Sequence, residues 1–399
     1  MTTRQEIPIK HLKQGMYVVE IIKKHGSVNV KSEGYILNNA TIEKLAKAGA
    51  DRVIIDPSKE KSAEKVTKFN EKKQNQKKEE KTEKIPFDVE MSKAKVLYDD
   101  AKNLQKKLLS SITKGKVLDI KEVQQSTNAM VDSVFRNQDA LACMSRLRFV
   151  DEYLVEHSLN VSILISIFAK HLHFERTVIE QLALGAFLHD IGKTLISAEL
   201  LSKKESLTNK EYEQVKEHVN LGVKYLETCE DISDIALMMV AQHHERLDGS
   251  GYPKQLSGEA ISQYGRMIAI VDSYDAMTAE RLYKKSVHPV KAFKILISDA
   301  NSSYDEELIE QFIQCIGVYP VGTLVKLNSG KLGLISQLNK KRPLNPFVHV
   351  FYNTRLNQAI PMAEIDLSKS KYQDQIDRCI KPEDFKLDLL KFFGKAFID

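Results

Sequence analysis

Five of the eleven histidines, His157, His189, His218, His243 and His244, and two aspartates, Asp190 and Asp272, sit where the sequence can aim them inward. Val161, Leu164 and Phe168 follow His157 at four, seven and eleven positions, so His157 shares the apolar face of a helix. Val215, Leu221, Gly222 and Tyr225 share the face of His218 in the same way. Asp272 follows Met267-Ile268-Ala269-Ile270-Val271, a run apolar nearly all round, where an ionised carboxylate is costly unless paired or metal-bound. His189-Asp190 and His243-His244 each end an apolar run, Leu182–Leu188 and Ile235–Ala241, and Gly192 is a natural helix stop after the first pair. One such histidine alone is more often a hydrogen-bonded core residue. Five imidazoles and two carboxylates directed into one bundle satisfy one another economically around cations. The number exceeds the four ligands of an ordinary structural zinc site and suits two divalent metals with a carboxylate between them. Donors without thiolate fit iron or manganese, with nickel, cobalt or zinc as compatible alternatives.

Two cations about 3.5–4 Å apart form a clamp for phosphoryl chemistry, lowering the pKa of a bridging water and neutralising phosphate oxygens. Lys193, three residues beyond Asp190, is placed to present an ammonium to the same phosphate. The segment Glu245-Arg246-Leu247-Asp248-Gly249-Ser250-Gly251-Tyr252-Pro253 is rich in turn formers and predicts a tight loop beside the ligands, with Tyr252 packing on a base or pinning the loop. Arg281 and Lys284 lie beyond the Asp272 helix and suit a second phosphate, although ordinary surface charge explains them as well.

The elements that must carry these residues are helical. From Phe87 to about Val318 apolar residues recur at three and four spacing. Helices are expected over 88–113, 119–140, 149–172, 176–190, 208–228, 231–245, 262–279, 288–299 and 305–317. Ahead of them, residues 1–57 read as a small α+β module, with strands at Val18–Ile22 and Arg52–Asp56 and a helix from Thr41 to Ala48. It carries no ligand cluster, so an interaction or regulatory role is expected. Residues 58–86 read as a charged linker. After the bundle, residues 319–399 read as a small β-rich module, with strands around Leu324–Leu327, Gly333–Ile335 and Val348–Tyr352, and a terminal helix from Pro382 to Phe397. The fold class is therefore mainly α, flanked by two small modules.

Composition narrows the class. The chain has 399 residues, 42% of them hydrophobic, with no Trp and a net charge of +5. The segment Ser58–Lys84 alone holds ten Lys against six Glu, so the excess charge is local and no nucleic-acid-binding face follows from it. No run approaches the about 18 apolar residues that span a bilayer, and the N-terminus lacks the apolar core of a signal peptide. Cys143, Cys229, Cys315 and Cys379 lie far apart and form no C-x-x-C pair. The expectation is a cytoplasmic protein with no membrane or nucleic-acid-polymer partner.

Together, His189-Asp190-Ile191-Gly192-Lys193, His243-His244-Glu245-Arg246 with Asp248-Gly249-Ser250-Gly251-Tyr252-Pro253, Asp272 with Asp275-Ala276-Met277-Thr278, and Arg281-Leu282-Tyr283-Lys284 closely resemble the bacterial HD-GYP domain over about residues 150–318. The resemblance implies an all-helical HD-type phosphodiesterase that cuts cyclic di-GMP to pGpG. It implies His157, His189, Asp190, His218, His243, His244 and Asp272 as metal ligands, and Lys193, Arg281 and Lys284 as phosphate contacts. It further implies that Gly251, Tyr252 and Pro253 shape the substrate site and meet diguanylate cyclase domains. Tyr153 stands where three-metal members place a Glu, so the chain resembles the two-metal subgroup. Residues 6–56 also resemble a small domain often joined to HD-GYP domains.

The expected chemistry is attack by a metal-bridging hydroxide on one phosphodiester, with Asp190 bridging the metals and Lys193 stabilising the pentavalent charge. A cyclic GMP-AMP hydrolase keeps this chemistry with another base. A non-catalytic receptor or scaffold for the dinucleotide or a cyclase is the alternative of a different class, and the intact ligand set argues against it. Helices 88–140 offer a homodimer surface, and core packing explains them equally well.

Overall fold

A computed structural model describes residues 4–13, 16–23, 34–36, 42, 50–57, 85–116, 118–146, 153–203, 205–279, 286–300, 302–339, 341–369 and 374–385. The helix expected at 41–48, the 58–84 stretch, Arg281, Lys284 and the terminal segment after Phe385 lie outside these residues, Ile42 apart. The chain divides into two units, 1–84 and 85–399.

In the first unit, β1 (Gln5–Pro8), β2 (Tyr17–Lys23), β3 (Gly34–Tyr35) and β4 (Ala50–Ile55) form an antiparallel sheet of order β1-β4-β2-β3. Val18, Val53 and Ile55 pack with Leu12 and Ile36 into a small core of its own. β-branched residues supply four of the seven positions of β2 and three of the six of β4, which suits a half-buried pleated surface.

The second unit opens with the long helices α1 (Phe87–Thr113) and α2 (Ile120–Met144). There follow α3 (Tyr153–His171), α4 (Arg176–Leu188), a 3-10 turn (Ile191–Leu195), α5 (Ala198–Leu201), α6 (Asn209–Lys216), α7 (His218–Leu226), α8 (Asp234–Gln242), α9 (Gln263–Thr278), α10 (Pro289–Ser298) and α11 (Glu306–Ile316). Most boundaries fall within a few residues of the periodicity. One expected helix, 208–228, is two: α6 ends at Lys216 and α7 starts at His218. Gly192 also does something other than stop a helix. α4 ends earlier, at Leu188, and Gly192 lies within the 3-10 turn.

Short polar residues start these helices by accepting backbone N–H bonds: Thr208 with Glu211 in a reciprocal capping box for α6, Ser233 for α8, Ser262 for α9 and Asp305 for α11. Behind the site, Tyr274 of α9 stacks on Phe293 of α10 and meets Phe312 of α11 edge-on, and Phe312 meets Phe168 of α3. These rings are at most 4% exposed, so α9 is fixed from the side opposite its aspartates.

Strands β5 (Leu324–Leu327), β6 (Lys331–Gln337), β7 (Phe347–Asn353), β8 (Gln358–Asp366) and β9 (Ile376–Cys379) form an antiparallel sheet of order β8-β7-β6-β5-β9. Residues 319–322 belong to no strand, although Gly322 N donates to Ile335 O of β6 at 2.9 Å. The sheet's apolar residues, Val325, Leu334, Val348 and Phe351 among them, are continuous with the helical core. The strands fall within the second unit and share its hydrophobic core.

Candidate metal centre

Five elements deliver the seven ligand candidates to one place. α3 brings His157; the end of α4 brings His189 and Asp190; the first residue of α7 is His218; the end of α8 brings His243 and His244; the middle of α9 brings Asp272. Ligand atoms of Asp190, His218, His243 and His244 lie within 4.8 Å of one another, and so do those of His157, His189 and Asp272.

Three imidazoles are oriented by one device. The Nδ1–H of His189 donates to Ala186 O, that of His218 to Val215 O and that of His243 to Val240 O, each at 2.7 Å. These carbonyls lie at helix ends, where they lack the usual intrahelical partner. A carbonyl only accepts, so Nδ1 holds the proton, and in the neutral ring Nε2 is a lone pair. Two of these Nε2 atoms meet: His218 Nε2 lies 3.2 Å from His243 Nε2, two acceptors face to face. His189 Nε2 and Asp190 Oδ1 are buried with no hydrogen-bond partner. A buried pocket of lone pairs and an orphaned carboxylate oxygen is unfavourable by itself and is reconciled by cations. The residues fit a metal centre.

Asp190 stands between the two groups. Its Oδ2 is 3.4 Å from His189 Nε2 and 3.8 Å from His157 Nε2; its Oδ1 is 3.4 Å from His218 Nε2 and 3.8 Å from His243 Nε2. Lys193 Nζ lies 2.6 Å from Oδ2. Burial works to raise the Asp190 carboxyl, but Lys193 and His189 outweigh it and hold it well below the usual range. Burial likewise opposes ionisation of Asp272, and hydrogen bonding to His157 overcomes it. Burial, reinforced by neighbouring imidazoles, pushes His243 well down; it does the same to His244 against the pull of Asp272. His218 is lowered chiefly by burial. These rings are neutral, as ligands must be.

His157 differs. Its Nε2 bonds Asp272 Oδ1 at 2.9 Å and its Nδ1 bonds Asp275 Oδ2 at 2.8 Å. Burial lowers its pKa, but the two carboxylates raise it to about 9. Asp275, fully buried three residues after Asp272, is thus the residue that orients His157. Its one-turn spacing from Asp272 is the signal that marks it in the sequence.

The loop after α8 is held by Glu245, which the sequence reading gave no role. Its carboxylate is 1% exposed and accepts from Lys254 N at 2.8 Å and Leu256 N at 2.9 Å. A Cβ at Gly251 would lie 2.4 Å from Arg246 N, so only glycine lets the loop close on itself. Tyr252 N donates to His244 O, and the Tyr252 ring lies against the His244 ring at 4.6 Å. Glu156, next to His157, is tied to Lys102 at 2.6 Å in a nearly buried pair.

An HD-domain family model matches residues 141–308, and a domain of unknown function, DUF3391, matches residues 4–123. Helices that gather paired His-Asp and His-His ligands in this way define the class of HD-domain metal-site proteins. A cyclic di-GMP phosphodiesterase of Pseudomonas aeruginosa is 32% identical over 292 residues, 73% of this chain and 70% of that protein. This chain belongs to the HD-GYP family. A cyclic di-GMP phosphodiesterase of Borreliella burgdorferi is 28% identical, over 55% of this chain and 63% of that one. A 3'3'-cGAMP-specific phosphodiesterase of Vibrio cholerae is 31% identical, over 42% and 36% respectively.

Proposed function

We propose that the protein is a metal-dependent phosphodiesterase that opens cyclic di-GMP to pGpG in second-messenger signalling. The observation that carries the reading is Asp190, whose two oxygens face two separate sets of imidazoles, with Oδ1 and His189 Nε2 both buried and unpartnered. His157, His189 and Asp272 would hold one cation, His218, His243 and His244 a second, and Asp190 would be shared. Iron or manganese suits the nitrogen and oxygen donors. When bound, such cations lower the pKa of water and neutralise phosphate oxygens. The chain's own part is to fix ring tautomers through the helix-end carbonyls, to exclude bulk water by burial, and to place the Lys193 ammonium against developing phosphate charge. Lys193 rests on Asp190, 22% exposed, at the solvent side of the same carboxylate. The relatives' names support the substrate class; the Vibrio cholerae relative favours cyclic GMP-AMP as a second substrate of the same site.

A regulatory role for the N-terminal unit, homodimerisation through residues 88–140 and a cytoplasmic site of action belong to the same proposal, as do phosphate contacts by Arg281 and Lys284 and docking of a diguanylate cyclase domain at Gly251-Tyr252-Pro253, which rest on the family resemblance. Among the described residues no helix is long and apolar enough to cross a membrane. The test is turnover of cyclic di-GMP by manganese- or iron-loaded protein, read as pGpG. Combined His189→Ala and Asp190→Ala should abolish it with helicity retained; persistent turnover in that variant rejects the assigned site.

A further inference from the structure

Among the described side chains, Tyr212 is the one exposed Phe or Tyr, at 47%. It is not on a remote surface. Lys216, one turn further along α6, holds its Nζ 4.8 Å from the centre of the Tyr212 ring and 5.5 Å from that of Tyr252. Glu213 fixes the same ammonium at 2.7 Å. Tyr252 in turn lies against His244, so His244, Tyr252, Lys216 and Tyr212 form a continuous row from the metal centre to solvent. The two tyrosine rings are no further apart than about 10 Å, within reach of one nucleotide.

The rest of α6 gives Tyr212 no structural reason to be aromatic. The helix buries none of its residues, and its start is already secured by the Thr208–Glu211 capping box. Exposed aromatic rings with a neighbouring cation are what single-stranded nucleotides stack upon, because every base has a π-face. An ammonium beside such a ring finds two acceptors on the Hoogsteen edge of guanine, O6 and N7, and one on adenine, N7.

We propose that Tyr212 is the stacking platform for the purine whose phosphate lies outside the metal centre, with Lys216 as the donor at its edge. This assignment rests on the cyclic dinucleotide reading and adds a specificity-determining site to it. Lys216 has its charge balanced by Glu213, so its contribution is directional and not a general attraction for anions.

The experiment pairs steady-state kinetics with equilibrium binding of cyclic di-GMP to metal-loaded protein, for wild type, Tyr212→Ala and Tyr212→Phe. Tyr212 is exposed, so the variants keep the fold, checked by thermal melting. Loss of the ring should raise KM and Kd together, roughly tenfold or more, with kcat within about twofold. Tyr212→Phe should restore both, since the ring and not the hydroxyl does the stacking. An active wild type whose KM and Kd ignore Tyr212→Ala overturns the platform and leaves the hydrolase reading standing. A wild type without turnover that still loses affinity on Tyr212→Ala does the reverse.

Discussion

Gly192→Ala is the smallest change that should pull the metal centre apart. A Cβ at Gly192 would lie 1.9 Å from His218 O and 2.6 Å from Gly222 N, both backbone atoms. Ordinary contact begins at about 3.4 Å, so the 3-10 turn and α7 must separate by about 1.5 Å. Asp190 immediately precedes the 3-10 turn and His218 opens α7, and their Oδ1 and Nε2 are 3.4 Å apart. Coordination tolerates only about 0.2 Å. The overpacking itself costs about 1–3 kcal/mol, and a displacement near 1 Å costs about 100-fold in rate. Gly222→Ala is the matched control across the same contact: its Cβ would meet Gly192 N at 3.3 Å and the side chains of Ile191 and Val240 at 3.5 Å, which a small adjustment absorbs. Gly192→Ala should therefore melt several degrees lower, retain less metal by elemental analysis and lose most turnover, whereas Gly222→Ala should stay close to wild type. Equal melting temperature and metal content in the two variants would refute the close-approach argument.

Two further outcomes follow from the site. His157 in the metal-free protein titrates near 9 against an ordinary 6.5, so the stabilisation from its carboxylate pairs is full below about pH 6.5 and is lost as pH rises through about 9. Metal uptake should displace this proton, and affinity should climb with pH across that window; calorimetry in buffers of different ionisation enthalpy that finds no proton release would contradict it. Glu245→Ala leaves the N–H groups of Lys254 and Leu256 without their acceptor, which should cost about 2–4 kcal/mol and open residues 247–257 to limited proteolysis, with Glu245→Gln milder on both counts.

Helical periodicity made His157, His218 and Asp272 legible because a face is a local property: a few apolar neighbours at the right spacing settle which way a side chain points. What escaped the sequence was non-local. Glu245 looks like one more loop carboxylate until the backbone N–H donors nine and eleven residues on fold back over it. Gly192 reads as a stop because sequence cannot show α7 pressing against it. The break between Lys216 and His218 is equally invisible, since both halves keep one periodicity. The strands after residue 319 were recognisable from short apolar runs broken by Gly, Asn and Pro, but their packing against the helical core depends on which surface they cover.

Each of three rings borrows its heading from a carbonyl at the helix end just before it, α4 for His189, α6 for His218 and α8 for His243, so none can swivel without that helix moving. The centre is consequently a gauge of bundle geometry. A small tilt of α4, α6 or α8 is transmitted undamped to the site, and any influence that strains these helices reaches the chemistry with no loop needed to relay it.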